Sequence, residues 1–345
     1  MGAILQNISY VIMGLLAFGL LVVGHEFGHF MLAKLNDVRV DEFSIGMGPK
    51  LFGIKGKETE YMIKALPIGG YVKMYGEEDD VTTTDSRAYA NKSSWQKLSI
   101  VSAGPIMNII LAIILFSIVG KIQGFQIPTV DKVEKNTPAY VAGIRSGDII
   151  KEVDGNKIVT WDDFVTNIVT GKGEEVTITV ERDGVVEDYK VKPEFNAERN
   201  QYLVGIGGAF KTPTFTESVK YGLDQTLSMA KQTFKFFGQL FQGKISKDDV
   251  GGPITIIKVT GKVAKAGLTT LMFFIAYLSV QLAIFNIIPF PALDGGWIFL
   301  LLLQIITRKE FNKEKVATIN YYGFMILMAL MVIVLIKDIV SPIQF

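Results

Sequence analysis

The chain has 345 residues, 49% hydrophobic and 20% charged, with 35 Lys and Arg against 34 Asp and Glu for a net charge of +1; its mean hydropathy is +0.33. Such balance leaves no electrostatic footprint for nucleic acid, and the absence of cysteine removes disulfides and thiolate ligands while leaving the redox compartment open. The composition fits an integral membrane protein whose charges are segregated into water-exposed stretches.

Four apolar stretches are long enough to cross a hydrocarbon core: Ile8 to Ala33, Leu98 to Val119, Leu271 to Ile306 and Tyr321 to Val340. The first lysine is Lys34, so the first span lacks a basic n-region and is expected to stay in the mature protein. That span carries the two histidines of the chain, in Gly24-His25-Glu26-Phe27-Gly28-His29. On a helix, positions i and i+4 are offset by only about 40 degrees, so both imidazoles face one way and can share a metal ion. Glu26 beside them is a candidate general base. Ionisable residues at mid-bilayer cost roughly 2.5 to 3.5 kcal/mol each, which argues for a functional reason to keep three of them together.

Between the first two spans, in the region 38–75, Phe43-Ser-Ile-Gly46-Met-Gly48-Pro49 leads into Leu51 to Ile54, Tyr61 to Ala65 and Gly70 to Met74. Their Gly and Pro punctuation predicts short hairpins; a plain loop is the alternative. The acidic run Glu77 to Asp80 with Thr82 to Asp85 reads as a solvated linker.

After the second span, residues 126–193 read as a small β domain. Thr129 to Val133, Asp148 to Val153 and Val176 to Glu181 alternate as strands, and Asp154-Gly155 and Asp183-Gly184 are hairpin turn signals. Residues 194–270 read as a linker holding amphipathic helices. In it, Phe215 to Phe241 carries apolar residues at helical spacing, consistent with a helix lying on the membrane face or packed on the β domain.

In the third span, Asn286-Ile-Ile-Pro289-Phe-Pro291-Ala-Leu293-Asp294-Gly295-Gly296 predicts a broken helix near 286–296, tolerated at membrane depth only where the freed backbone lines a cavity or is buried. Lys and Arg cluster in Lys34 to Lys97 and in Arg308 to Lys315, which places both loops in the cytoplasm and the β domain outside. His25 and His29 then lie towards the cytoplasmic side. A catalytic zinc usually has three protein ligands. No further His or Cys exists, and Asp294 is the carboxylate at matching depth. Capping of the helix that follows is a second role open to Asp294.

The two motifs His25-Glu26-Phe27-Gly28-His29 and Asn286-x-x-Pro289-x-Pro291-x-Leu293-Asp294-Gly295 together make the chain resemble the site-2 protease family of intramembrane zinc metalloproteases. Gly104-Pro105-x-x-Asn108 and Gly252-Pro253-Ile254 look like further landmarks of that family. Thr137-Pro138-Ala139 with Ala142 to Asp148 resembles a PDZ core, with Trp161 to Val169 as the groove helix. The resemblance implies an α-helical membrane protein with four transmembrane helices, a membrane-associated β-hairpin region on the cytoplasmic side and an inserted extracytoplasmic PDZ-like β domain, resident in a bacterial cell membrane. It also implies Zn2+ held by His25, His29 and Asp294, Glu26 as base, and Asn286 near the bound substrate. Gly46 and Gly48 open the sheet expected to present an edge to that substrate. Implied partners are membrane proteins with a transmembrane helix, such as anti-sigma factors or signal-peptide remnants, the lipid bilayer itself, and a peptide adding as a strand beside Thr129 to Val133. Members of this branch often carry two tandem PDZ domains, whereas the length here accommodates one.

Two other functions compete with cleavage of transmembrane segments. A non-hydrolytic zinc scaffold would recruit partners through the β domain, but a purely structural metal site needs no base such as Glu26. A zinc or proton transporter calls for ionisable residues on several spans, and the second span has none in Leu98 to Val119.

Overall fold

A computed structural model of the chain describes residues 2–77, 84–243 and 251–341, so most of the acidic linker lies outside the described residues. The elements run α1 (Gly2–Leu35), β1 (Val40–Lys55), β2 (Glu60–Met74), α2 (Ser94–Gln123), β3 (Phe125–Val133), α3 (Pro138–Ala142), β4 (Ile149–Val153), β5 (Asn156–Lys157) and α4 (Trp161–Thr170). They continue with β6 (Val176–Arg182), β7 (Val185–Val191), β8 (Glu194–Asn196), β9 (Gln201–Leu203), β10 (Ile206–Lys211), α5 (Phe215–Phe241), α6 (Pro253–Ala266), α7 (Leu268–Ile287), α8 (Asp294–Thr307) and α9 (Lys313–Val340). Contacts divide the chain into one unit of Met1–Leu115 with Gln232–Phe345 and another of Phe116–Lys231.

In the first unit, α1 from Leu16, α2, α7 and α9 are the four described helices long and apolar enough to span a membrane. The chain is a multi-pass membrane protein. Helices α1 and α2 approach until their backbones nearly touch: a Cβ on Gly28 would stand 2.2 Å from the Ala103 carbonyl oxygen. Strands β1 and β2 fold back on themselves, because Glu42 to Ile45 register with Glu60 to Ile63 and again with Lys73 to Gly70. Segment 42–45 is therefore interior to the sheet. Val38, Val40 and Met74 join Ala33 of α1 and Ile100 of α2 in one buried cluster that seats the sheet on the helices. The hairpin reading of 38–75 thus becomes two long bulged strands, and the plain-loop alternative is set aside.

The broken third span is α7, a turn over 288–293, and α8. Gly295 and Gly296 permit the turn, since a Cβ on either would stand 2.0 Å from the Ile288 oxygen or 2.5 Å from the Phe290 oxygen. Asn320 of α9 accepts the Ala292 N–H at 3.2 Å and pins it. Leu293 occupies the N-cap position and makes no side-chain cap. Asp294 is the first helical residue instead, so the capping role considered for it is not observed. Near the end of α9, buried Asp338 accepts from Gly252 N at 3.1 Å and from Thr255 N at 3.0 Å, a carboxylate supplied from another helix to the unsatisfied donors of α6.

The second unit is built on a sheet of order β10-β3-β4-β6-β7, with β5 paired to β4. Asp154-Gly155 and Asp183-Gly184 have positive φ at both positions, 49° and 72°, then 50° and 81°, the conformation that tight hairpins demand. Val130, Ile150, Val153, Ile178 and Val180 alternate inward against Phe164 and Ile168 of α4. Helix α4 begins with a Thr160–Asp163 capping box. Buried Asp148 is clasped by Arg182, with Nε at 2.7 Å and Nη2 at 2.8 Å.

Two expectations change here. The sheet does not end at residue 193, because β10 pairs along β3 from Phe125↔Lys211 to Val133↔Ile206. With β10 along one side and β4 paired at Thr129 on the other, β3 is an interior strand of the sheet and not its edge. Strand β10 approaches the start of α4, where a Cβ on Gly208 would stand 2.5 Å from the Trp161 ring. Helix α5 turns its polar residues inward: Ser218, Gln225, Thr226 and Ser228 are buried, Gln225 donates to Asp162 at 2.5 Å, and Ser228 donates to Asp163. Phe215, Val219, Leu223 and Leu227 form its exposed stripe. Packing on the β domain accounts for the buried face of α5.

Candidate metal centre

The centre is assembled from α1, α2 and the start of α8. Helical spacing on α1 brings the His25 and His29 rings to a centroid distance of 4.8 Å, nearly perpendicular at 83°. Their Nε2 atoms lie 3.1 Å apart. Asp294 Oδ2 lies 3.0 Å from His25 Nε2 and 3.6 Å from His29 Nε2. Donors held tetrahedrally about one zinc at roughly 2.0 to 2.2 Å are separated by about 3.4 Å, so this triangle has the size of a zinc site. Asp294 Oδ2 is buried and, for all its proximity, makes no hydrogen bond. The three atoms lie close together around one point, and two imidazoles with one carboxylate is a donor set suited to zinc.

Helix α2 supplies the floor. Ile100, Gly104 and Asn108 recur every four residues on one of its faces. The Ile100 carbonyl oxygen lies 2.8 Å from His29 Nδ1, and Asn108 Nδ2 lies 3.2 Å from His25 Nδ1. Between them Gly104 has no side chain because the rings occupy that space: a Cβ there would stand 2.4 Å from His29 Nε2. Pro105 follows inside the helix. Sequence reasoning marked Gly104 and Asn108 only as landmarks. Their four-residue spacing from Ile100 is the signal that would have placed them beside the histidines.

Glu26 is half-buried on α1 beside β2, where a Cβ on Gly70 would come within 3.2 Å of its Cγ. Gly70 is a further residue at the site that sequence reasoning passed over. Asn286 is half-buried in the last turn of α7, ahead of the break that delivers Asp294. Gly46 and Gly48 both have φ of 86°, and a Cβ on Gly46 would stand 2.4 Å from the Leu66 oxygen. The bulged backbone of β1 accounts for Gly46 without any substrate.

A membrane-embedded pair of helical histidines with an adjacent glutamate and a third carboxylate donor defines the metallopeptidase class. A family model described as Peptidase family M50 matches residues 13–330, and the chain belongs to that family, the site-2 protease family. It is an intramembrane zinc metalloprotease. A relative in Clostridium acetobutylicum, provisionally named a zinc metalloprotease, is 49% identical over 336 residues, covering 97% of this chain and 98% of its own. The Regulator of sigma-W protease RasP of Bacillus subtilis is 30% identical over 416 aligned positions, covering 96% and 98%. The Zinc metalloprotease RasP of Bacillus licheniformis is 31% identical over 413, covering 95% and 98%. Among solved structures, the PDZ domain of an SdrC-like protein from Listeria monocytogenes aligns with 25% of this chain and 90% of its own at 23% identity and a TM-score of 0.23.

Proposed function

We propose that His25, His29 and Asp294 hold the zinc and that Glu26 is the general base for hydrolysis of peptide bonds inside transmembrane segments. The observation that carries this reading is the convergence of His25 Nε2, His29 Nε2 and Asp294 Oδ2 within 4.8 Å of one another. When bound there, zinc supplies Lewis acidity, polarising the scissile carbonyl and making water a competent nucleophile near neutral pH. Glu26 accepts the proton of the attacking water and returns it to the leaving amine. Asn286 donates to the substrate backbone or its developing oxyanion. The β1–β2 sheet, with Gly46 and Gly48 at its bulge, offers main-chain groups to a substrate helix that must be extended before it is cut.

The substrates in this reading are membrane proteins such as anti-sigma factors or signal-peptide remnants, supported by the name of the Bacillus subtilis relative. The Lys- and Arg-rich loops support a cytoplasm-facing centre and an external, PDZ-like β domain that selects among them. The division of the chain follows the notion of a membrane core interrupted by that domain, with halves 1–125 and 271–345.

Wild type and Glu26→Gln expressed in a bacterial host, followed by mass spectrometry of transmembrane fragments, test the chemistry. Glu26→Gln is expected to retain zinc and lose turnover by at least about a thousandfold, since its ligands survive and its base does not. His25→Ala and Asp294→Ala are expected to lose metal and activity together. Near-normal cleavage by Glu26→Gln removes it from the role of base.

A further inference from the structure

The two imidazoles are supported unequally. His29 Nδ1 faces the Ile100 carbonyl oxygen, which only accepts, so that ring carries its proton on Nδ1 and leaves the Nε2 lone pair for the centre. His25 faces no carbonyl at that position. It faces the side-chain amide of Asn108, a fully buried residue whose Oδ1 has no hydrogen-bond partner. An amide rotated by 180° exchanges oxygen and nitrogen in the same volume, and a ring that offers Nε2 to a metal must carry its proton on Nδ1, where only an acceptor can meet it. The backbone of Asn108 is itself fixed, because Ser279 of α7 donates to its carbonyl oxygen at 2.8 Å.

We infer that Asn108 is a positioning residue of the metal centre: its side-chain oxygen accepts the Nδ1 proton of His25, as the Ile100 carbonyl does for His29. Helix α2 thereby sets the tautomer and ring plane of both histidines. A side chain is needed at one position and backbone suffices at the other because the first imidazole sits two turns further along α2. The inference rests on the zinc-ligand reading of His25, His29 and Asp294.

The test uses full-length protein in detergent, loaded with Co(II) for its visible spectrum and with Zn(II) for affinity by chelator competition. Asn108→Asp keeps an acceptor oxygen, whereas Asn108→Leu matches the volume without one. Asp is expected to preserve the Co(II) spectrum and to keep zinc affinity within about threefold of wild type; Leu is expected to shift the spectrum and weaken zinc by about 10- to 100-fold. A packing role predicts the reverse order, because an apolar isostere is tolerated where a buried charge is not. Asn108→Ala, which relieves volume and also lacks an acceptor, replaces Leu if that variant fails to fold. Equal affinity for Asp and the acceptor-free variant, or tighter binding by the latter, overturns the inference. His25→Ala is the control. If it keeps the Co(II) spectrum, the ligand reading falls and takes the inference with it; if it loses the spectrum while the Asn108 variants do not differ, the inference alone falls.

Discussion

Gly104 lies against the His29 ring so closely that a Cβ would stand 2.4 Å from Nε2, and it would also come within 2.7 Å of His25 Cε1. One methyl group on α2 therefore displaces both imidazoles at once. Gly104→Ala is expected to fold well, as alanine is favoured over glycine in a helix by about 1 kcal/mol. It is expected to lose zinc affinity at least about tenfold. Circular dichroism and chelator competition on the same sample separate the two effects, and wild-type affinity would mean that α2 yields to the added carbon.

The end of α1 is tied to the β1–β2 turn by Glu58, whose carboxylate accepts from Lys34 at 2.5 Å and from Arg87 at 2.6 Å. The Lys34 hydrogen bond, opposed by burial and joined by the hydrogen bond from Arg87, draws the carboxyl down to about 2. Its folded value is depressed, so its contribution is complete above the ordinary value of 4.5 and disappears as pH falls towards about 2. Hydrogen exchange of β1 and β2 amides, corrected for intrinsic rates, is expected to show protection falling across that window. Glu58→Gln should flatten the dependence.

Asp148 is 1% exposed and its carboxylate is clasped by Arg182. Burial alone would raise it, but the hydrogen bonds from Arg182 and the Arg145 N–H outweigh burial and hold it below the usual range. Asp148→Ala is expected to cost the β domain about 3 to 5 kcal/mol, because the Arg182 guanidinium and the Arg145 N–H lose a buried carboxylate that the longer contact to Glu187 does not replace. The double substitution Asp148→Leu with Arg182→Met should recover most of it. Limited proteolysis of the full chain reads both, and an equally labile double variant would mean that the pair carries more than its own desolvation.

Orientation is accessible because the chain has no native cysteine. A thiol probe that cannot cross membranes is expected to label Lys157→Cys from outside, and Glu310→Cys only after permeabilisation. The reverse pattern would invert the topology.

The meeting of His25, His29 and Asp294 could be read before any fold was known, because a chain with two histidines and no cysteine has few ways to complete a metal site. Helix and hairpin signals likewise located α5, α9 and the β6–β7 turn. Strand β10 was hidden, since Ile206-Gly-Gly-Ala-Phe-Lys211 has the glycine content of a loop and becomes a strand only through β3. The doubled register of β1 and β2 depends on bulges that periodicity does not reveal. The inward polar face of α5 was illegible for a related reason. Its pattern states that two faces differ, and only the carboxylates of Asp162 and Asp163 decide which face is buried.

The pairing of Phe125 with Lys211 means that the sheet of the second unit begins and ends at neighbouring residues, before α5 packs back on it. A domain whose two ends coincide in this way can be spliced into a host loop, removed or duplicated while the host sees the same short gap. The longer alignment to the Bacillus subtilis relative, 416 positions against the 345 residues of this chain, has room for insertions of that kind.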